Sequence, residues 1–298
     1  IKVKDGSSLT ISGTGTANLT TINKNGIKGG ENSVIKINDG TLDIESTGNG
    51  ISSDHKIFIN GGHTTILAAK EGIKASPNAV SNKAKGEITI NGGTINVTSG
   101  EDGIQLESNI EINNRANITV NANNDGIQTR SNFTMNNGVL NIFTYEGHSA
   151  TTFDKDVMSA KGIKASVSEY ETQDATNEIN IYGGEITIDS SDDAIHSDGN
   201  ISITNGKVSI SSWDDGIHAD SKLTFGTVNG YERDPYINIL NSNEGIEAAN
   251  IYFYSGKIKV KSRDDGINAA GGASSGEGQG SGEHFNPDTG ADNFAIYS

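Results

Sequence analysis

The strongest constraint on the fold of this chain is a short motif, an acidic or amide residue followed by Gly-Ile, that returns along its whole length. It stands at Asn25-Gly26-Ile27, Asn49-Gly50-Ile51, Glu71-Gly72-Ile73, Asp102-Gly103-Ile104 and Asp125-Gly126-Ile127. It continues at Lys161-Gly162-Ile163, Asp193-Ala194-Ile195, Asp215-Gly216-Ile217, Glu244-Gly245-Ile246 and Asp265-Gly266-Ile267. The isoleucines are separated by 24, 22, 31, 23, 36, 32, 22, 29 and 21 residues. The short spacings define a unit, and the long ones are that unit plus a loop.

Each unit has the same grammar. An alternating strand such as Ile57-Phe58-Ile59 leads to an Asn/Gly turn such as Asn60-Gly61-Gly62, and a second alternating strand runs to the next Gly-Ile. Period-2 alternation, β-branched residues and Asn/Gly punctuation are strand and turn signals, and no helical period is present. Two or three short strands per coil, repeated about ten times, predict an all-β parallel β-helix. Propeller blades need about 40 residues each, and leucine-rich repeats need their own Leu/Asn signature. Coils about 4.8 Å apart make a solenoid about 48 Å long with one core, hence a single domain over 1–298. Loops are expected at Pro77 to Gly86, Tyr145 to Lys161, Val167 to Asn177 and Asn229 to Pro235. The Gly/Ser-rich stretch from Gly271 to Asp292 reads as a mobile loop, with too little after it for another full coil.

Composition then takes its meaning from the repeat. Only 33% of the residues are hydrophobic, which suits a core one coil wide. Cysteine is absent, excluding disulfides, Cys-ligated zinc and thiol catalysis. The net charge of −16 argues against nucleic acid, whose phosphates need a surplus of Lys and Arg. No run approaches the roughly 18 apolar residues of a membrane helix, so no membrane insertion is expected. No leader peptide is visible ahead of Ile1.

Aligned on Gly-Ile, equivalent residues fall into columns. The isoleucines form the core. The next residue is always polar, from Lys28 and Ser52 to His196, His218, Glu247 and Asn268, and is expected to face solvent. Third after Ile, again outward, come Asp54, Glu107, Arg130, Asp198 and Asp220. Just before the Gly, the C-terminal coils read Asp192-Asp193, Asp214-Asp215, Asn243-Glu244 and Asp264-Asp265, and an earlier cluster reads Glu101-Asp102 and Asn124-Asp125. Stacked carboxylates repel by about 1 kcal/mol per pair even in water-like dielectric. Rows of hard oxygen ligands suit Ca²⁺, so the ladders predict inter-coil calcium sites. The competing reading is that Asp or Asn before Gly caps a tight bend.

Two near-identical units place His196 over His218 and Asp198 over Asp220, with Trp213, the single tryptophan, just before Asp214. Such a strip can hold sugar, the ring stacking on a pyranose while polar groups take its hydroxyls. Partial burial of Trp213 under a loop is the alternative. Two His and two Asp could also bind a transition metal, but such residues are more often an exposed polar ladder, and the lack of a shell-like asymmetry argues against a catalytic zinc.

The repeated Asp-Asp-Gly-Ile-(His/Asn)-Ala units, the strand-Asn-Gly-Gly-strand grammar and the run Asp264 to Gly272 before the Gly/Ser-rich stretch resemble the bacterial carbohydrate-binding β-helix family. The likeness runs from about Asn25 to Gly272. It implies a right-handed, pectate-lyase-like solenoid with bound Ca²⁺, secreted or at the cell surface and binding cellulose or polygalacturonate-type acidic sugars. On this reading the protein is a non-catalytic, monomeric binder of cell-wall polysaccharide. Inter-coil calcium neutralises the ladders and can bridge to a uronate. The rival readings are a calcium-dependent polysaccharide lyase, with Arg130 or Arg263 as base among the four arginines (with Arg115 and Arg233), and a structural adhesin. Lys161 interrupts the acidic column, which argues against calcium at that coil.

Overall fold

A computed structural model describes residues 1–76, 86–167, 176–228, 234–269 and 293–296. Every strand pairing is parallel and joins a residue to its equivalent one coil away, so the strands form one continuous solenoid, a parallel β-helix. The Gly-Ile alignment is its register: Ile27 pairs with Ile51, then Ile73, Ile104, Ile127, Ile163, Ile195, Ile217, Ile246 and Ile267.

Two further strips complete each coil. One stacks Ile35, Ile57, Ile88, Ile110, Phe133, Ile179, Ile201, Leu223 and Ile251. The other stacks Ile44, Ile66, Val97, Val120, Ile142, Ile188, Ile210 and Ile239. These side chains are buried and meet along the axis. Each fully buried Ile removes apolar surface worth about 1.5–3 kcal/mol, and the coil from Ile104 buries Ile104, Leu106, Ile110, Ile112, Ile118 and Val120.

Before most of these isoleucines stands a glycine, because neighbouring coils come close there; Ala194 is accommodated before Ile195, and Gly266 has open space. A Cβ on Gly126 would lie 2.4 Å from Ile142 Cγ2 and 2.6 Å from the Gly162 carbonyl oxygen. Outside the core, the turn asparagines form a ladder. Asn60 donates to Asn38, Asn91 to Asn60, Asn113 to Asn91 and Asn136 to Asn113, over 2.7–2.9 Å. Asn113 both donates and accepts, so Asn113→Ala is expected to cost about 1–2 kcal/mol, measured by urea denaturation.

Four sequence expectations meet the structure differently. The polar column after Ile is not freely solvated, because the coil bends there and turns it against the acidic column; Ser52 is buried and Lys74, Gln105, Lys164 and His196 are half-buried. Asp54, expected outward, is 7% exposed. The insertion after Tyr145 packs back on the solenoid through a 3₁₀ turn at Gly147–Ser149. There His148 contacts Asp189 at 2.9 Å and Ser191 donates to the Gly147 carbonyl. Beyond the Gly/Ser-rich stretch, Asn293–Ile296 returns as a strand paired with Asn250–Phe253. The other expected loops lie largely outside the described residues at 77–85, 168–175 and 229–233, as does the Gly/Ser-rich stretch within 270–292.

Candidate functional site

The acidic column first does a backbone job. Four side chains of this column accept the backbone N–H of their counterpart one coil on: Asn25 from Asn49, Asp102 from Asp125, Asp125 from Lys161 and Asp193 from Asp215, at 2.9–3.1 Å. Chains of carboxylates at this spacing need counter-charge, and the column beyond Ile supplies it. Residue i before the Gly meets residue i+3 across the bend: Glu71 with Lys74, Asp102 with Gln105, Asp193 with His196 and Asp215 with His218. Lys164 reaches back one coil to Asp125 at 3.3 Å.

Lys161 is the centre of this network. Its ammonium lies 2.8 Å from Asp192 and 2.6 Å from Asp193, with the three side chains only 15%, 6% and 4% exposed. Burial alone would lower the lysine pKa, yet the two carboxylates hold it well above its ordinary value. Asp193 is driven the other way. Burial would raise it, but Lys161 and the imidazoles of His196 and His218 hold it far below the usual carboxylate range. His218 is pushed up to about 9, because Asp215, Asp193 and Glu247 outweigh the effect of burial. Glu247 is raised to about 7 by burial, against the opposing pull of His218 and with Asp215 and Glu244 adding repulsion. Asp102 also rises to about 7, through burial and the neighbouring Asp125.

The Tyr145–Lys161 insertion forms one wall of a cavity of about 660 Å³ over these coils. Lys155 on that wall bonds Asp214 at 2.8 Å. The cavity is lined by Lys161, Asp193, His196, Asp215, His218 and Glu247, among others. The structure thus brings together Asp192, Asp193, Asp214, Asp215, His196 and His218, with Glu244 and Asn243 at the rim. Asp264 and Asp265 are exposed one coil beyond, while Glu101 pairs with Lys70 at 3.2 Å, and Asp102, Asn124 and Asp125 belong to earlier coils outside the cavity lining.

Calcium was expected along these ladders. Asp192, Asp193 and Asp214 do offer oxygens within 4.8 Å of one another. However, Lys161 is bonded to two of the three and Lys155 to the third. An oxygen cage with ammonium groups already seated on every carboxylate does not fit a resident Ca²⁺. This centre therefore reads as neutralised by the protein's own cations.

The sugar strip is also occupied by internal contacts. His196 Nε2 meets Asp198 at 3.1 Å and His218 Nε2 meets Asp220 at 3.5 Å, while the two rings pack edge-on at 4.9 Å. Asp198 further accepts the Val167 N–H. Trp213 is covered on one side by Phe153 of the insertion, centroids 5.8 Å apart, and on another by the Arg263 guanidinium at 5.9 Å. Arg263 also donates to the Trp213 carbonyl, and Arg130 is paired with Glu107 at 3.1 Å. Both candidate lyase bases are thus engaged; Arg115 is exposed and Arg233 lies outside the described residues.

A second groove, about 510 Å³, lies on another strip and was not singled out from sequence. Its floor is the in-register column Asn180, Ser202, Thr224 and Tyr252. Tyr254 lies beside Tyr252, rings nearly parallel at 19° with centroids 6.0 Å apart, and Asn200 and Lys222 flank the column. The available signal was the alternation Tyr252-Phe253-Tyr254, which puts both tyrosines on the outward face of one strand.

A rigid solenoid with concave polar faces, one of them floored by aromatic rings, is a scaffold for extended polar ligands. A family model described as carbohydrate-binding domain-containing protein matches residues 5–123 and again 114–216, more than half of the chain. The chain belongs to this family of carbohydrate-binding domain-containing proteins. No curated protein and no solved structure matches it. Among the described residues no helix is long and apolar enough to cross a membrane.

Proposed function

We propose that the protein is a non-catalytic binder of a neutral, cellulose-type polysaccharide, held in the groove over Tyr252 and Tyr254. The observation that carries this reading is the nearly parallel tyrosine pair at the end of a hydroxyl and amide column that runs over four successive coils. Aromatic faces take the apolar faces of pyranose rings, while Ser202, Thr224, Asn180 and Asn200 present the hydrogen-bonding groups that hydroxyls need. Coils repeat every 4.8 Å or so, close to the length of one sugar ring, so a linear glycan lying along the axis meets equivalent groups at each step. Such a partner places the protein's work outside the cell or at its surface.

An acidic glycan is disfavoured at the larger cavity, where carboxylates outnumber the lysines and imidazoles and a polyanion meets repulsion. The test is retention on insoluble cellulose against a polygalacturonate column, each with and without EGTA. Retention on cellulose is expected, insensitive to EGTA, and Tyr252→Ala/Tyr254→Ala should weaken it roughly tenfold or more. Retention confined to polygalacturonate and abolished by EGTA would sink the proposal. Ultraviolet absorbance of unsaturated products from any polyuronate would overturn the non-catalytic reading.

A further inference from the structure

Two coils beyond Lys161 the acid and imidazole recur, and among the described residues no ammonium is bonded between them. Asp215, His218 and Glu247 place one donor atom each within 4.8 Å of the others. His218 Nδ1 lies 3.5 Å from Asp215 Oδ2, whereas in the preceding coil His196 Nδ1 lies 2.9 Å from Asp193 Oδ2 and Lys161 is 2.6 Å from that same oxygen. The difference is chemical. A separation of 2.9 Å is a hydrogen bond, filled by a proton. A separation of 3.5 Å is long for one, and near the roughly 3.3–3.4 Å between two ligands that each sit about 2.0–2.1 Å from a tetrahedral zinc ion.

Three further features favour a metal. Asp215 and Glu247 present carboxylate oxygens within 4.8 Å of each other, and a cation between two carboxylates this close relieves their repulsion. The far nitrogen of His218 faces Asp220 at 3.5 Å, also long for a hydrogen bond; drawn in on metal binding, a carboxylate behind a histidine fixes the tautomer and leaves the other nitrogen's lone pair for the metal. Finally, Asp215, His218 and Glu247 line the 660 Å³ cavity, so a fourth coordination position opens towards any molecule that enters it.

We propose that Asp215, His218 and Glu247 form a binding site for a divalent transition metal of the zinc class, with His218 ligating through Nδ1 and Asp220 orienting it. An imidazole in the donor set selects such ions over Ca²⁺ and Mg²⁺. The site is independent of the tyrosine groove, and its failure would leave the polysaccharide proposal untouched.

The test uses the full chain after EDTA treatment and dialysis. Co²⁺ is titrated in while its visible absorption is followed, then challenged with Zn²⁺ or with excess Ca²⁺. One Co²⁺ per chain is expected, displaced by Zn²⁺ and unaffected by Ca²⁺. His218→Ala and Glu247→Gln should each abolish saturable binding, and Asp220→Asn should weaken it about 10–100-fold. His63→Ala, an exposed imidazole on another strip, should change nothing. No stoichiometric Co²⁺ on the wild-type chain would overturn the proposal whatever the variants do. So would displacement by Ca²⁺, or unchanged binding in a folded His218→Ala protein.

Discussion

Lys161→Met is expected to lower folding stability by about 3–5 kcal/mol, the usual cost of removing one partner from a buried ion pair. The substitution leaves Asp192 and Asp193, 6% and 4% exposed, without the ammonium that bridges them. Asp214 sits close enough to complete an all-oxygen group. The urea midpoint should fall with little change in slope, because the surface exposed on unfolding is the same. Adding Asp193→Asn in the same chain should cost less than the two changes summed, since the second removes a charge that the first has stranded. Ca²⁺ should leave the wild-type melting temperature unchanged and raise that of Lys161→Met, in which Asp192 and Asp193 become available to a hard cation while Lys155 still holds Asp214. A loss below about 1 kcal/mol would mean that water screens the pair as it does at an open surface.

The second large effect is a pH dependence centred on Asp102. Its carboxyl is raised to about 7 by burial and by Asp125, with hydrogen bonds from Gln105 and the Asp125 N–H opposing. A group whose folded pKa lies above its unfolded value contributes stability that is fully present below the unfolded pKa, here near 3.8. That stability is lost as pH rises through the folded value. Asp102 should therefore take on the order of 4 kcal/mol from the fold between about pH 4 and pH 8. Asp102→Asn keeps an acceptor for the Asp125 N–H, at 3.1 Å in the parent, and carries no charge. Unfolding free energies measured across this range should fall markedly less steeply for the variant than for the parent. Equal slopes would remove Asp102 as the cause.

Much of the fold was legible because a solenoid is periodic. A β-branched residue that must be buried in every coil returns at every coil, so aligning Ile27 through Ile267 by eye is the same operation as reading the strand register. The acidic column was equally visible, but its spacing admits both a calcium ladder and bend caps. Its partnership was not. Asp193 and His196 lie three residues apart, a spacing that puts side chains on opposite faces of a straight strand. Only the bend after Gly or Ala brings them to 2.9 Å. The repeated i, i+3 pattern of Glu71 with Lys74, Asp102 with Gln105 and Asp215 with His218 was the available clue.

Lys161 shows the same division. As a break in the acidic column it argued against calcium at its own coil, but not that its side chain would reach the next coil and neutralise the pair there. Trp213 could be assigned neither to a sugar face nor to a covered surface until the path of the insertion was known. Phe153 decides that, sixty residues away in sequence and 5.8 Å away in space.

By itself, then, the sequence determined the coil, its register, its thin core and its acidic face, because each follows from local alternation and a repeat that translation copies. The tertiary structure alone decided how the acids are neutralised, what covers the tryptophan and where two tyrosines open onto a groove. Those outcomes depend on the curvature of each bend and on an insertion folding across several coils, which no spacing along the chain encodes.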